Sequence, residues 1–85
     1  MNKYKRKEQK SKIESILKQF ENKGWIVRAK TAISLGRLGE PEAVPGLIKA
    51  LSDENYLVRH HAADALKQIG TPEAVKAAKE WERRN

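Results

Sequence analysis

The chain contains an internal repeat with a period of 31 residues. The segment LGEPEAVPGLIKAL at 38–51 returns as IGTPEAVKAAKEWE at 69–82, and the same shift places WIVR at 25–28 on YLVR at 56–59. A period between about 20 and 50 residues is typical of arrays in which similar units stack and bury one another's apolar faces. The repeat therefore restricts the fold to a stacked array more strongly than any other feature of the sequence.

The repeat divides the chain into two full units and one half unit. The full units cover 25–55 and 56–85, and the half unit covers 13–24, where the apolar residues match the second half of a unit. Residues 1–12 lie outside the repeat and contain six basic residues and one acidic residue. We therefore predict a flexible basic tail over 1–12, followed by one repeat domain over 13–85.

Each unit has the pattern of two helices. Gly39 and Gly70 are placed to end the first helix of each unit, because glycine tolerates the left-handed backbone found there. Pro41 and Pro72 follow, and proline is favoured in the first turn of a helix because its missing N–H has no partner there. No segment shows the period of two that is typical of strands. The predicted helices cover residues 11–23, 26–38, 42–52, 56–69 and 72–83.

Local signals refine these boundaries and the core. Ser11 and Glu14 fit a capping box, which predicts that the first helix starts there. Pro45 is unfavourable inside a helix, so we expect a loose turn over 42–44 and a regular helix from Pro45 onward. The predicted core comprises Ile13, Ile16, Leu17, Phe20, Ile26, Val27, Ala32, Leu35, Leu38, Val44, Leu47, Ile48, Leu51, Leu57, Val58, Ala62, Leu66, Ile69, Val75 and Ala78.

The repeat unit resembles the short HEAT-like repeat of phycobilisome lyase-type proteins. The resemblance covers residues 25–75 well and 13–24 weakly, and it implies an all-α fold. The implied fold is a short right-handed α-solenoid of stacked helical hairpins, with about five helices and about 2.5 HEAT-like repeats. Such repeats serve scaffolds, chaperone-like factors, bilin lyases and some DNA-binding proteins, so the resemblance does not by itself define a function. The residues that carry it are Val27-Arg28, Leu35, Leu38-Gly39, Pro41 to Pro45, Leu47-Ile48, Ala50-Leu51 and Asp53.

Composition limits the class of protein. The chain has 85 residues, no cysteine and a net charge of +7. These values predict one small cytoplasmic domain without disulfides, and no apolar run approaches the roughly 18 residues of a membrane span. The basic tail is expected to attract nucleic acid, anionic lipid or an acidic protein, or to act only as a solubilising arm. Its cations are Lys3, Lys5, Arg6, Lys7, Lys10 and Lys12.

The sequence contains no recognisable catalytic or metal site. His60 and His61 are adjacent and point about 100° apart on a helix, so they do not readily share one metal ion. His60 and Asp64 lie one turn apart, but a third ligand is not evident, and zinc needs three or four. No nucleophile or glycine-rich phosphate loop occurs in a recognisable setting. We therefore expect no enzyme activity and no cofactor.

Two arginines and two aromatic residues recur at equivalent positions. Arg28 and Arg59 occupy the same position in each unit, which favours a structural contact repeated in both units. Anion binding is the alternative. Arg59 is expected to reach Asp53 in the connecting turn, because arginine suits bidentate pairing with a carboxylate. Asn22 replaces that aspartate upstream, so Arg28 would need another partner, such as Glu21. The aromatic residues are expected to be lids over the core, with base or ligand stacking as the alternative; they are Trp25 and Tyr56.

The second helices of such a solenoid line its concave face, where partners usually bind. Lys18, Lys49 and Glu80 form one row at the repeat spacing on this face. The face is small and mildly basic and has no interleaved aromatic residues, which favours a protein partner over sequence-specific nucleic-acid binding. Trp81 is expected either to cover the end of the stack or to contact a partner. The candidate partner-binding residues are Lys18, Gly46, Lys49, Lys76, Glu80 and Trp81.

The sequence therefore predicts a non-catalytic protein–protein interaction module, a small scaffold or adaptor. One alternative is a non-specific nucleic-acid-associated protein that uses the basic tail and the lysine row. Another, which rests on the resemblance alone, is an accessory subunit of a lyase-like enzyme. Association between copies is a further hypothesis, because both ends of the stack are expected to lack a dedicated polar cap. We expect no membrane partner.

Overall fold

A computed structural model of the chain describes residues 3–85, with side chains from Lys10 onward, and this part contains only helices and turns. One 3₁₀ turn, Lys18–Glu21, continues the first helix, and another, Pro41–Ala43, leads into the third. The predicted all-α fold is confirmed. The helices are α1 Lys3–Leu17, α2 Trp25–Leu38, α3 Val44–Ala50, α4 Tyr56–Ile69 and α5 Pro72–Arg84.

The helices form two layers that follow the repeat. Helices α2 and α4, the first helices of the two full units, pack side by side along most of their length. Helix α3 packs on α4 and α5, while α1 packs on α2 and on the turn before α3. Helices α1, α3 and α5 thus form the second-helix layer. The fold is a short α-solenoid of stacked helical hairpins.

Local sequence signals account for most helix ends. Gly39 and Gly70 follow α2 and α4 with φ of 67° and 77°, a left-handed conformation that glycine adopts at little cost. The Asn55 side chain accepts hydrogen bonds from the first amides of α4, and Thr71 accepts one from the Ala74 amide at the start of α5. Pro72 occupies the first turn of α5. These devices set the hairpin turns of both full units.

The predicted start of the first helix at Ser11 is wrong. Helix α1 begins at Lys3 and runs through Ser11 without a break. The reason is the composition of the segment before Ser11, which is rich in lysine, arginine, glutamate and glutamine and has no proline or glycine. These residues have good helix propensity, so nothing in the chain stops the helix at the capping-box position.

Small residues form much of the core. Leu35, Leu47, Leu66 and Val58 are the largest side chains that are fully buried. Around them lie buried alanines that the sequence analysis missed, because an alanine contributes little to an apolar pattern. Their small side chains let neighbouring helices approach closely. The missed core alanines are Ala29, Ala43, Ala50, Ala63, Ala65 and Ala74.

Several residues that the sequence placed in or over the core lie on the surface. Trp25 and Tyr56 are 41% and 55% exposed, so the prediction that they are lids is wrong. Both residues begin helices of the first layer, and more than a third of each residue's surface stays open to solvent there. The predicted core residues that are exposed are Ile26, Val27, Leu38 and Leu57.

Candidate protein-binding site

The best-defined polar cluster centres on Arg28, which lies in the first turn of α2. Its Nε and Nη2 donate to the two carboxylate oxygens of Asp53, over 2.9 and 3.1 Å. Its Nη1 donates to the carbonyl oxygens of Asn22 and Lys23, over 2.8 and 3.0 Å. Asp53 lies in the turn between α3 and α4, so this arginine ties the start of one repeat to the turn that opens the next. We call Arg28 and Asp53 the clamp.

The electrostatics of the clamp favour its charged form. Partial burial alone would raise the pKa of Asp53, but hydrogen bonds from Arg28 and the Asn55 amide, and the charges of Arg28 and Arg59, outweigh it and lower that pKa. The hydrogen bond to Asp53 raises the pKa of Arg28. Both groups therefore remain ionised at neutral pH, and the pair forms a fixed structural element.

Arg59 repeats only half of this arrangement. Its Nη1 donates to the carbonyl oxygen of Asp53 over 2.6 Å, just as Arg28 donates to the carbonyl of Asn22 six residues before it. The expectation that Arg59 holds the Asp53 carboxylate, and that Arg28 pairs with Glu21, is therefore wrong. The carboxylate points to α2 of its own repeat, because the turn before α4 lies against the start of α2.

The candidate row on the second-helix layer is accessible. Lys18, Lys49 and Glu80 are all exposed, and they lie on α3, α5 and the 3₁₀ turn after α1. Lys76, another candidate residue, is exposed on α5. The structure thus leaves two candidate lysines of successive repeats, Lys18 and Lys49, open to a partner.

A groove lies beside this row, between the end of α1 and α3. It has a volume of about 330 Å³. Leu17, Phe20 and Ala50 supply apolar surface, while Glu21, Asp53 and Lys49 supply charged groups. A partner's apolar side chain can be buried there beside a cation. Gly46 also lines the groove, and a Cβ built on it would lie 2.5 Å from Cδ2 of Leu17, so this glycine lets α1 and α3 approach.

A second depression, of about 410 Å³, follows the outer face of α5. Pro72 and Val75 give it an apolar part, and three cations surround one glutamate, Glu80. The side chains that line this depression occur at one-turn spacing along α5. They therefore share a helix face opposite the buried Ala74 and Ala78. The cations of this face are Lys76, Lys79 and Arg83.

The C-terminal end of the stack has polar contacts within α4 and between α4 and α5. Lys67 of α4 donates to Glu82 of α5 over 2.5 Å, and its Nζ lies 3.9 Å from an oxygen of Asp64. His60 lies 3.4 Å from Asp64 one turn away. Trp81 is half-buried against the core, with its ring 6.3 Å from that of Tyr56. Trp81 therefore covers the end of the stack.

The histidines do not form a metal site within the described residues, where no three histidine, aspartate or glutamate side chains converge. Of the tail cations, Lys10 and Lys12 are exposed. The side chains of Lys3, Lys5, Arg6 and Lys7 lie outside the described residues. None of the helices described has both the length and the apolar character that crossing a bilayer demands.

The molecule consists of stacked helical hairpins. A clamp fixes the turn between them, and the second-helix layer is open to solvent. This architecture defines the class of α-solenoid repeat proteins. Residues 13–83 match the sequence model of HEAT repeats, and the chain therefore belongs to the HEAT repeat family. Members of this family generally mediate protein–protein interactions. A search of the curated proteins found no significant match to the chain.

Proposed function

We propose that this protein is a non-catalytic interaction module that binds another protein through its second-helix layer. The observation that carries the proposal is the groove between α1 and α3, where apolar surface from Leu17 and Phe20 lies beside the exposed lysine row. Apolar surface that is open to solvent and surrounded by polar groups is typical of a protein-binding site.

The groove and the helix face beyond it indicate the chemistry of the partner. Lys18 and Lys49 stand on the α1–α3 side, and Lys76, Lys79 and Arg83 continue the positive charge along α5. A partner segment that places an apolar side chain in the groove and carboxylates along the row would complement both features. Rim charges of this kind contribute mainly to association rate and specificity.

The decisive experiment reverses the charge of the row without altering the core. The double variant Lys18→Glu/Lys49→Glu is expected to lose partner capture in a pull-down from the source cell, while circular dichroism shows unchanged helix content. Lys30→Glu combined with Arg37→Glu is the matched control, since both residues are exposed on α2, in the first-helix layer. Equal loss in both double variants would show general electrostatic attraction and would contradict binding through this layer.

The nucleic-acid hypothesis uses the same lysines together with the tail. It is less well supported, because Glu21 and Glu80 interrupt the positive surface and the groove is partly apolar. Binding through phosphates weakens steeply as salt increases. A gel-shift titration at low salt, with the full chain and with the six tail cations changed to glutamine, separates binding by the tail from binding by the helical body.

The two remaining hypotheses have direct tests. An accessory role in a lyase-like enzyme predicts bilin binding or transfer in a reconstituted assay. Association between copies predicts a dimer in sedimentation at micromolar concentration. The interaction module that we propose requires neither result.

A further inference from the structure

The internal repeat allows each side chain to be compared with its equivalent 31 residues away. All three guanidinium nitrogens of Arg28 donate hydrogen bonds. Nη1 donates to two carbonyl oxygens, while Nε and Nη2 donate to the Asp53 carboxylate. At Arg59, Nη1 holds the equivalent carbonyl oxygen, of Asp53 itself. Within residues 10–85, no carboxylate lies within ion-pair distance of Arg59. Its Nε and Nη2, which correspond to the carboxylate donors of Arg28, therefore have no hydrogen-bond partner among the side chains described.

The surroundings of Arg59 hold its guanidinium in place and leave it accessible. Arg59 is half-buried, and its Cζ lies 5.6 Å from the centroid of the Tyr56 ring. The Tyr56 ring in turn stacks on His60 at 6.1 Å and lies beside Trp81. A guanidinium that is supported by an aromatic ring and anchored by one hydrogen bond has lost part of its rotamer freedom before any ligand arrives, which favours binding.

A further repeat stacked in the same register does not fit this end of the molecule. Helix α2 approaches α4 at Gly36, where a Cβ would lie 2.9 Å from the Cα and Cβ of Ala65. The residue equivalent to Gly36 on α4 is Lys67, whose long side chain is paired with Glu82. A second copy stacked head to tail would also present Asn22 at the position of Asp53, without a carboxylate. The occupant is therefore neither another layer in register nor a copy of this chain.

We propose that Arg59, supported by Tyr56, is a binding site for an acidic side chain of a partner protein, an aspartate in a surface turn. The template is the Asp53 turn, which the first repeat already presents to Arg28. In that turn the carboxylate also accepts the amide of Asn55, over 2.9 Å, and Asn55 caps the following helix. Arginine binds a carboxylate bidentately in this geometry, and lysine cannot reproduce the fork. This site lies in the first-helix layer and is distinct from the groove proposed above.

The test titrates the full chain with a blocked heptapeptide that has the sequence of residues 51–57, LSDENYL. NMR is the readout, through the side-chain N–H resonances of Arg59 and the indole N–H of Trp81. The expected result is a saturable shift of both resonances at millimolar peptide. The same peptide with the change D53N is expected to produce no saturable shift, and this ligand-side control needs no change in the protein.

The protein-side comparison uses Arg59→Lys, which keeps the charge but removes the forked guanidinium. Peptide binding to this variant is measured through the indole N–H resonance of Trp81. This variant is expected to lose the saturable shift, whereas Arg37→Lys, a matched change at an exposed arginine of α2, keeps it. The variant Lys18→Glu/Lys49→Glu should also keep it, so failure of the groove proposal would leave this one intact. No saturable shift in the natural chain, or equal shifts with the D53N peptide or in Arg59→Lys, would overturn the proposal.

Discussion

Arg28 and Asp53 join the start of the first full repeat to the turn that ends it through a bidentate pair, with Nε to Oδ2 at 2.9 Å and Nη2 to Oδ1 at 3.1 Å. Their side chains are only 8% and 14% exposed, although they lie 25 residues apart in the sequence. The pair fixes the turn between α3 and α4 against the start of α2. The second repeat is therefore oriented on the first by a polar contact as well as by the apolar core.

Asp53→Asn should lower the stability of the fold, because it removes a charge that neutralises the nearly buried Arg28 while keeping the side-chain shape. The pKa of Asp53 is lowered in the folded state, so its contribution to stability is present above the ordinary pKa of aspartate. That contribution is lost as the pH falls through the lowered value. Urea unfolding followed by circular dichroism should show a smaller dependence on acid pH in the variant.

Glu54→Gln is the matched control for this prediction. The Glu54 carboxylate lies 3.7 Å from Nη2 of Arg28, and the Glu54 side chain is 88% exposed to solvent. Exposed pairs at such a distance contribute little to stability. We expect the unfolding midpoint of Glu54→Gln to stay close to that of the natural chain. An equal loss in both variants would mean that general negative charge, not the clamp, stabilises the turn.

Gly36→Ala should destabilise the protein by about 1–3 kcal/mol, as expected for overpacking between closely packed elements. The added Cβ would meet the backbone of Ala65 at 2.9 Å and overlap the Oε1 of Gln68, and the backbone cannot move aside easily. Gly46→Ala is the control, since its Cβ would meet only the flexible end of Leu17. Thermal unfolding of both variants measures the difference, and a larger loss at Gly46 would contradict this account of the α2–α4 contact.

The repeat in the sequence was sufficient to predict the helices and their order. Gly39 and Gly70 both adopt the left-handed conformation, because the local backbone requires it regardless of the rest of the fold. Proline and threonine at the start of α5 act over similarly short distances. Signals that operate within one turn of helix could therefore be interpreted without knowledge of the tertiary structure.

Contacts between repeats could not be predicted in the same way. Comparison of equivalent positions suggested that Arg59 holds the nearest aspartate, yet the Asp53 carboxylate binds Arg28 at the start of its own repeat. The sequence shift aligns equivalent residues but does not show whether a side chain faces its own unit or the next one. The same reason explains the error at Trp25 and Tyr56. Their burial depends on a neighbouring helix that a periodic pattern alone does not locate.

Leu47→Ala and Leu66→Ala should each destabilise the fold by about 2–5 kcal/mol, which is the usual cost of removing a buried leucine side chain. Both residues are fully buried, in α3 and α4. A small solenoid has little stability in reserve, so either variant is expected to be largely unfolded near body temperature. Leu38→Ala is the control, because that leucine is exposed and should change the unfolding free energy far less.

Asn55→Ala should destabilise the start of α4 by about 1 kcal/mol, the typical effect of losing an N-cap side chain. The Asn55 Oδ1 accepts the amides of Leu57 and Val58, over 2.9 and 3.3 Å. Without this cap, the first turn of α4 should open more often, so these amides should exchange hydrogen faster than in the natural chain. Ser52→Ala is the control, because Ser52 is an exposed residue of the same turn outside the helix cap. Unchanged exchange in Asn55→Ala would show that the clamp alone holds this turn.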